Sequence, residues 1–294
     1  MICKSYAKIN LALDVIKKRE DNYHELSMIM QSIGLYDTLT INKTDKAGIN
    51  LSSDKPYLPT DSKNVAYKAT ELFFQRAEIK CGIDIFIEKN IPVGAGLGGG
   101  SSNAAAVLLA LNDIFGQPIK HEELIELGKT AGADVPFCML GGCAHAGGIG
   151  EKLTSINSAL NVTYVLVKPK LSISTSEVYQ GLDISQIDSR PDIDEVISGI
   201  TAGDIRKISA NTANVLESVV LKRHPGIEKL KIKMKNFGAK IALMSGSGST
   251  VFGMFTDKHK AYKAYEYFEG TEDFAWLGRA ESNEQLKPSF SAQF

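Results

Sequence analysis

Three short stretches hold the residues able to do chemistry. The first is Pro92-Val93-Gly94-Ala95-Gly96-Leu97-Gly98-Gly99-Gly100-Ser101-Ser102, with glycine at five of the seven positions from 94 to 100. Without Cβ atoms this backbone can turn several N–H groups toward one point and let a ligand come close. It runs into an alanine- and leucine-rich segment that predicts a helix, with the serine pair as its N-cap. Unpaired N–H groups and the helix dipole at such a start favour an anion, and the group that fits is a phosphate chain. Ser101 and Ser102 can cap, donate to phosphate, or help hold a phosphate-bound magnesium ion.

Three readings of this loop compete. One is a glycine turn with no ligand, at a cost in backbone entropy. Another is a dinucleotide site, since Gly94-x-Gly96-x-x-Gly99 matches G-x-G-x-x-G. That fingerprint needs a strand after the helix, ending in an acidic residue about 20 positions on. Here Gln117-Pro118 and a second helix follow instead, and no lysine precedes Ser101 as a Walker A motif requires. A nucleoside-triphosphate loop of another kind fits best.

The other two stretches each offer one charge in apolar surroundings. Asp134 sits between Ala133 and Val135-Pro136-Phe137, after a helix stop at Gly132. It can orient or deprotonate an attacking hydroxyl in phosphoryl transfer, or cap the segment that follows. Lys8 lies in a run of apolar and small residues, unusual for a side chain rarely buried unpaired. Beside Asp134 it would pair with the carboxylate and hold a substrate hydroxyl; at a strand edge it would face water. Asn10, two residues on, shares its face.

Strands and helices must bring these residues together. Residues 7–15 alternate apolar with polar or small residues, the pattern of a half-buried strand. Residues 37–41 and 83–87 read as further strands, 64–76 and 121–130 as helices. Residues 163–168 form a short apolar strand. Beyond it the pattern predicts helices over 192–199, 204–221 and 227–236, and strands over 241–244 and 250–255. The mixture lacks strict β-α-β alternation, so the expected class is α+β. A length of 294 residues suits two domains, placed here at 1–158 and 159–294. Residues 285–294 show no period and are expected to be a loose tail.

Composition narrows the class. Hydrophobic residues are 44% and charged residues 23%, the balance of an ordinary folded protein. A formal net charge of -1 shows no basic excess that would draw nucleic acid. No secretory signal opens the chain and no apolar stretch is long enough to span a bilayer, so no membrane is implied and the cytoplasm is the expected location. Cys3, Cys81, Cys138 and Cys143 form no C-x-x-C pair and no zinc spacing with histidine. Four reduced thiols and no protein metal site are expected.

The glycine segment resembles the second signature of the GHMP kinase family (galactose, homoserine, mevalonate and phosphomevalonate kinases). Lys4-Ser-Tyr-Ala-Lys-Ile-Asn-Leu11 resembles the first signature, and Ile241-Ala-Leu-Met-Ser-Gly-Ser-Gly-Ser-Thr-Val-Phe252 the third. The resemblance therefore covers nearly the whole chain. It implies a two-domain fold with the active site in the cleft between domains, and ATP as phosphoryl donor with Mg2+ accompanying it. Lys8 and Asp134 fall at the catalytic positions and residues 92–102 on ATP, with Asn64 and Lys89 where the family surrounds adenine. Asn10, Tyr23, His24, Thr175, Ser245 and Gly246 fall on the substrate side. Asn22-Tyr23-His24, Gly132-Ala-Asp-Val-Pro-Phe137 and Asn214-x-Leu216-Glu217 narrow the resemblance to a branch whose small-molecule substrate carries a cytidine diphosphate group. No protein partner is implied. Competing functions are a sister kinase for another alcohol, a catalytically silent nucleotide sensor, and a pyridine-nucleotide oxidoreductase. Tyr23 and His24 speak against the first, retained Lys8 and Asp134 against the second, and the failed dinucleotide context against the third.

Overall fold

The computed structural model describes residues 1–21 and 23–281; Asn22 and the tail expected at 285–294 lie outside them. One sheet contains β1 (Ile2–Lys18), β2 (His24–Thr44), β3 (Gly48–Ser53), β4 (Gly82–Glu88), β5 (Cys143–Gly148) and β6 (Lys152–Ser155). Its order is β3-β4-β2-β5-β6, with β1 paired to β2, and only β3–β4 runs parallel. Helices α1 (Val65–Arg76), α2 (Gly99–Ile114), α3 (His121–Ala131) and α4 (Val135–Leu140) belong to the same part of the chain. Leu39, Ile41, Ile83 and Ile85 of the sheet share one core with Phe73 of α1 and Leu108 and Leu111 of α2.

A second sheet has the order β10-β7-β9-β8, antiparallel throughout, from β7 (Thr163–Lys168), β8 (Ile241–Met244), β9 (Val251–Phe255) and β10 (Phe274–Gly278). Around it lie α5 (Thr175–Gln180), α6 (Ile193–Ala202), α7 (Ile205–Asn211), α8 (Glu217–Arg223), α9 (Pro225–Asn236) and α10 (Lys258–Glu269). β7 is covered on both faces: Tyr164 and Leu166 join Ile200 and Ile208, while Val165 and Val167 join Met234 and Phe268. Two-sided cover explains its unbroken apolar run.

β1 departs from the expected half-buried strand, because every residue from 7 to 15 is buried. Ala7, Ile9 and Leu11 share a core with Tyr164 and Leu166 of the second sheet. The opposite face first carries Lys8 and Asn10. The register then advances two residues on β1, Asn10 to Ala12, for one on β2, Met30 to Ile29. Such a bulge reverses the alternation, so Leu13 and Val15 continue that face against Met28, Met30 and Phe137.

The outer edge of β1 is also occupied. Lys8 N–H donates to the Leu97 carbonyl at 3.0 Å, Leu13 N–H to Ala213 at 2.9 Å, and Val215 N–H donates back to Leu13 at 3.0 Å. The last pairing corrects the single helix expected over 204–221. The chain forms α7 and α8 instead, with residues 212–216 between them laid against β1. Backbone partners on a strand edge outweigh the helical spacing there.

Candidate active site

The glycine loop reaches α2 through Gly98, whose φ of 68° is left-handed and open to glycine at little cost. Gly98 itself is the N-cap, so the helix starts at Gly99. Ser101 and Ser102 lie in its first turn rather than capping it, and Ser102 N–H closes that turn on the Gly98 carbonyl at 2.8 Å. Gly94 and Gly96 are left-handed too, at 63° and 75°. Ala95 and Leu97 are buried, while Val93, following Pro92 at the loop entrance, is exposed. The result is a run of left-handed glycines leading into a helix start, an arrangement able to receive phosphate.

A buried polar cluster supports the loop from below. Asp37, fully buried, accepts from Asn90 N–H, Ile91 N–H and Asn103 Nδ2, each at 2.8 Å, and from the Lys89 ammonium. Lys89 also donates to Asn103 Oδ1 at 3.2 Å, and Asn103 Nδ2 to Ser5 Oγ at 2.6 Å. Lys89 is therefore turned inward, beneath the loop. Asn64 caps α1: its Oδ1 accepts from Ala66 N–H at 3.0 Å and its Nδ2 donates to Pro59 at 2.8 Å. Neither is the solvated polar residue that its surroundings in sequence allow. Asp37 belongs to no motif read above; an Asp within the strand pattern at 37–41 is the only trace it leaves.

Lys8 and Asp134 meet. Lys8 Nζ lies 3.2 Å from Asp134 Oδ2 and donates to Asn10 Oδ1 at 2.9 Å. Lys8 is 5% exposed, so it does not face water at a strand edge. Its stem lies against the glycine loop, since a Cβ at Gly98 would come 2.9 Å from Lys8 Cγ. Asp134 stands at the N-cap position of α4, yet its carboxylate makes no capping bond, and its side chain is 27% exposed. The carboxylate is thus free of the helix and open to a small molecule. Ser101 Oγ is 3.6 Å from where a Cβ on Gly132 would stand, which brings the first turn of α2 beside the segment leading to Asp134.

Residues 245–250 close the site from the other half of the chain. Buried Ser245 donates its hydroxyl to the Gly96 carbonyl at 2.9 Å, and Thr250 N–H donates to Ala95 at 3.3 Å. A Cβ at Gly246 would lie 3.4 Å from Asn10 Oδ1. The hydroxyls of Thr175 and Ser247 are 2.7 Å apart. Asn10, Thr175, Ser245 and Gly246 are thereby gathered around the loop.

Tyr23 and His24 part company. Tyr23 is 60% exposed, whereas the half-buried His24 ring stacks on Tyr179 of α5 with centroids 5.2 Å apart and planes at 31°. Burial, with the Lys18 ammonium adding to it, pushes the His24 pKa down, which leaves the ring neutral at pH 7 with a nitrogen free to accept. Burial pushes the Tyr179 phenol up, and the negative charge of Asp134 adds to this. Tyr179 has no signature around it in the sequence. His145 is paired with Ser27 Oγ at 2.9 Å.

Known proteins resemble this chain along most of its length. The family model of the GHMP kinases N terminal domain matches residues 64–142, and that of the GHMP kinases C terminal matches 196–286. The 4-diphosphocytidyl-2-C-methyl-D-erythritol kinase of Clostridium kluyveri is 53% identical over 266 residues, which are 90% of this chain and 95% of that protein. The protein of the same name from Clostridium novyi is 47% identical over 279 residues, 95% of this chain and 99% of its own. A crystal structure of 4-(cytidine 5'-diphospho)-2C-methyl-D-erythritol kinase superposes with a TM-score of 0.82 at 34% identity, covering 96% of this chain and 100% of the other. Both family models, together with relatives of nearly full length at 47–53% identity, place this chain in the GHMP kinase family.

Proposed function

We propose that this chain transfers the γ-phosphoryl group of ATP to the 2-hydroxyl of 4-diphosphocytidyl-2-C-methyl-D-erythritol, a step of the non-mevalonate route to isoprenoid precursors. The observation that carries the reading is the Lys8–Asp134 pair, 3.2 Å apart, set against a glycine loop that opens a helix. The relatives' names and the His24–Tyr179 stack support the choice of substrate. The two domains of the reading are residues 1–158 and 159–294, with the site in the cleft between them.

In this reading the triphosphate lies along residues 92–102, with its outer phosphates at the first turn of α2. Asp134 accepts the proton of the attacking hydroxyl while the oxygen bonds to the γ-phosphorus and the bond to ADP breaks. Lys8 holds that oxygen and the carboxylate together and offsets the negative charge that builds between them. Mg2+ takes oxygen ligands and is usually held by substrate phosphates with few protein groups. The Ser101 and Ser102 hydroxyls suit that role, and the ion would neutralise phosphate charge. Asn64 and Lys89 then act from the adenine side by shaping α1 and the loop. Asn10, Thr175, Ser245 and Gly246 line the alcohol.

An ATP-consumption assay across candidate alcohols tests the reading. ADP release is expected with the cytidine diphosphate-linked methylerythritol and not with mevalonate or homoserine; the reverse would replace the substrate. Two substitutions locate the ligands. In Gly98→Val the branched side chain would meet Lys8 and sit at a positive φ. To relieve the clash and the strain the loop must leave the path on which its N–H groups meet phosphate, so calorimetric ATP affinity should fall at least tenfold, roughly 1.4 kcal/mol. ATP bound as tightly as by wild type would put the phosphates elsewhere. Tyr179→Ala should raise the KM of the cytidine substrate about tenfold, on the scale of base stacking, with ATP affinity unchanged. Tyr23→Ala is its companion; if both leave that KM unchanged, the cytidine assignment falls and the kinase assignment stands.

A further inference from the structure

Residues 212–216 form a bridge between two parts of the site that the chain makes far apart. Their backbone is laid on the edge of β1 at Leu13, three residues beyond Asn10. In their centre is Asn214, 3% exposed. Its amide nitrogen donates to the Met244 carbonyl and to the Gly246 carbonyl, both at 2.8 Å. Its amide oxygen accepts from Leu216 N–H at 3.0 Å, which holds the side chain in that orientation. Glu217 takes the other side of the same residue, its Oε1 accepting from Met244 N–H at 2.7 Å while Lys231 pairs with Oε2 at 2.7 Å. Gly246 in turn abuts Asn10 and Gly96.

We propose that Asn214 is a positioning residue for phosphoryl transfer: through the Met244 and Gly246 carbonyls it holds loop 245–250 in register with the strand that carries Lys8 and Asn10. An asparagine suits the task because it offers two N–H donors and one acceptor from a single planar group. Aspartate has the same shape and no donor when ionised, so it would face both carbonyls with a negative charge. The consequence is a displaced loop 245–250, felt first at Asn10 on the acceptor side and, through the contacts with Ala95 and Gly96, to a lesser degree at the glycine loop. The inference rests on the kinase reading above.

The test compares Asn214→Asp with Leu216→Ala, a buried apolar neighbour in the same segment. For Asn214→Asp, kcat/KM for the cytidine diphosphate-linked alcohol should fall tenfold or more, within the roughly 100-fold that a misplacement of about 1 Å costs. Calorimetric Kd for ATP should change several-fold less than kcat/KM, since the first turn of α2 is not part of the displaced loop. Leu216→Ala should lower the Tm but keep kcat/KM within about twofold below the melt, since a core cavity costs stability rather than alignment. Should Asn214→Asp fail to fold, Asn214→Ser, which keeps one hydroxyl donor, is read instead and should show the same kcat/KM loss at smaller size. Wild-type kcat/KM in a folded Asn214 variant overturns the proposal, as does an equal loss in Leu216→Ala. Wild-type protein that consumes no ATP with the alcohol overturns the kinase reading itself, and this inference with it.

Discussion

Asp134→Asn should lower kcat by at least ~100-fold, the scale on which a general base acts, and should leave the fold and ATP binding in place. The substitution separates the two roles open to this residue. Asparagine caps a helix about as well as aspartate, so a capping residue would tolerate the exchange. Asp134 makes no capping bond to α4, and what its carboxylate does meet is the Lys8 ammonium at 3.2 Å. Asparagine keeps the shape and removes the ability to take a proton. The carboxylate is partly open to solvent, so little stability should depend on its charge. Turnover followed by coupled ADP release, with a thermal melt and an ATP titration on the same preparation, provides the measurement. Near wild-type turnover would remove Asp134 from the mechanism.

Lys8→Met should depress kcat roughly 100-fold, the scale of losing one preorganised electrostatic contact to a developing charge, and change ATP affinity far less. Methionine keeps the aliphatic stem that packs against Gly98 and deletes the ammonium between Asp134 and Asn10. The lost interaction belongs to the acceptor hydroxyl and the transition state, so the effect should appear in kcat and not in ATP binding. Lys8 is buried and methionine is apolar, so the variant should melt close to wild type. Steady-state kinetics with calorimetric ATP binding decides it: an unchanged rate with weakened ATP binding would move Lys8 onto the nucleotide.

The pieces of the site that sequence disclosed are those where local chemistry is unusual. Five glycines before an alanine-rich helix, a lysine among apolar residues and an aspartate before Val-Pro-Phe each stand out without any knowledge of contacts. β7 and α3 were legible within a residue, because a short apolar run and an amphipathic helix report their own cover. The serine pair misled for a local reason. Gly98 adopts a left-handed cap at little cost, where a side chain would be strained, so the helix begins at Gly99 and takes the serines into its first turn.

Other features depend on partners that no local pattern encodes. The bulge at Leu11 of β1 is set by pairing with β2 and passes the face of Lys8 and Asn10 on to Leu13 and Val15, which a strict two-residue period would have placed opposite. Residues 212–216 have helical spacing but leave the helix because β1 offers an edge and the third loop offers two carbonyls. Tyr179 acquires meaning only when α5 brings it against His24, and Asp37 only when Lys89, Asn103 and two backbone amides converge on it. Sequence alone determined which groups could hold phosphate and move a proton, since that follows from side-chain chemistry and glycine's freedom. Tertiary structure decided which of them meet and which residues hold them in place, since those choices rest on long-range pairing and burial.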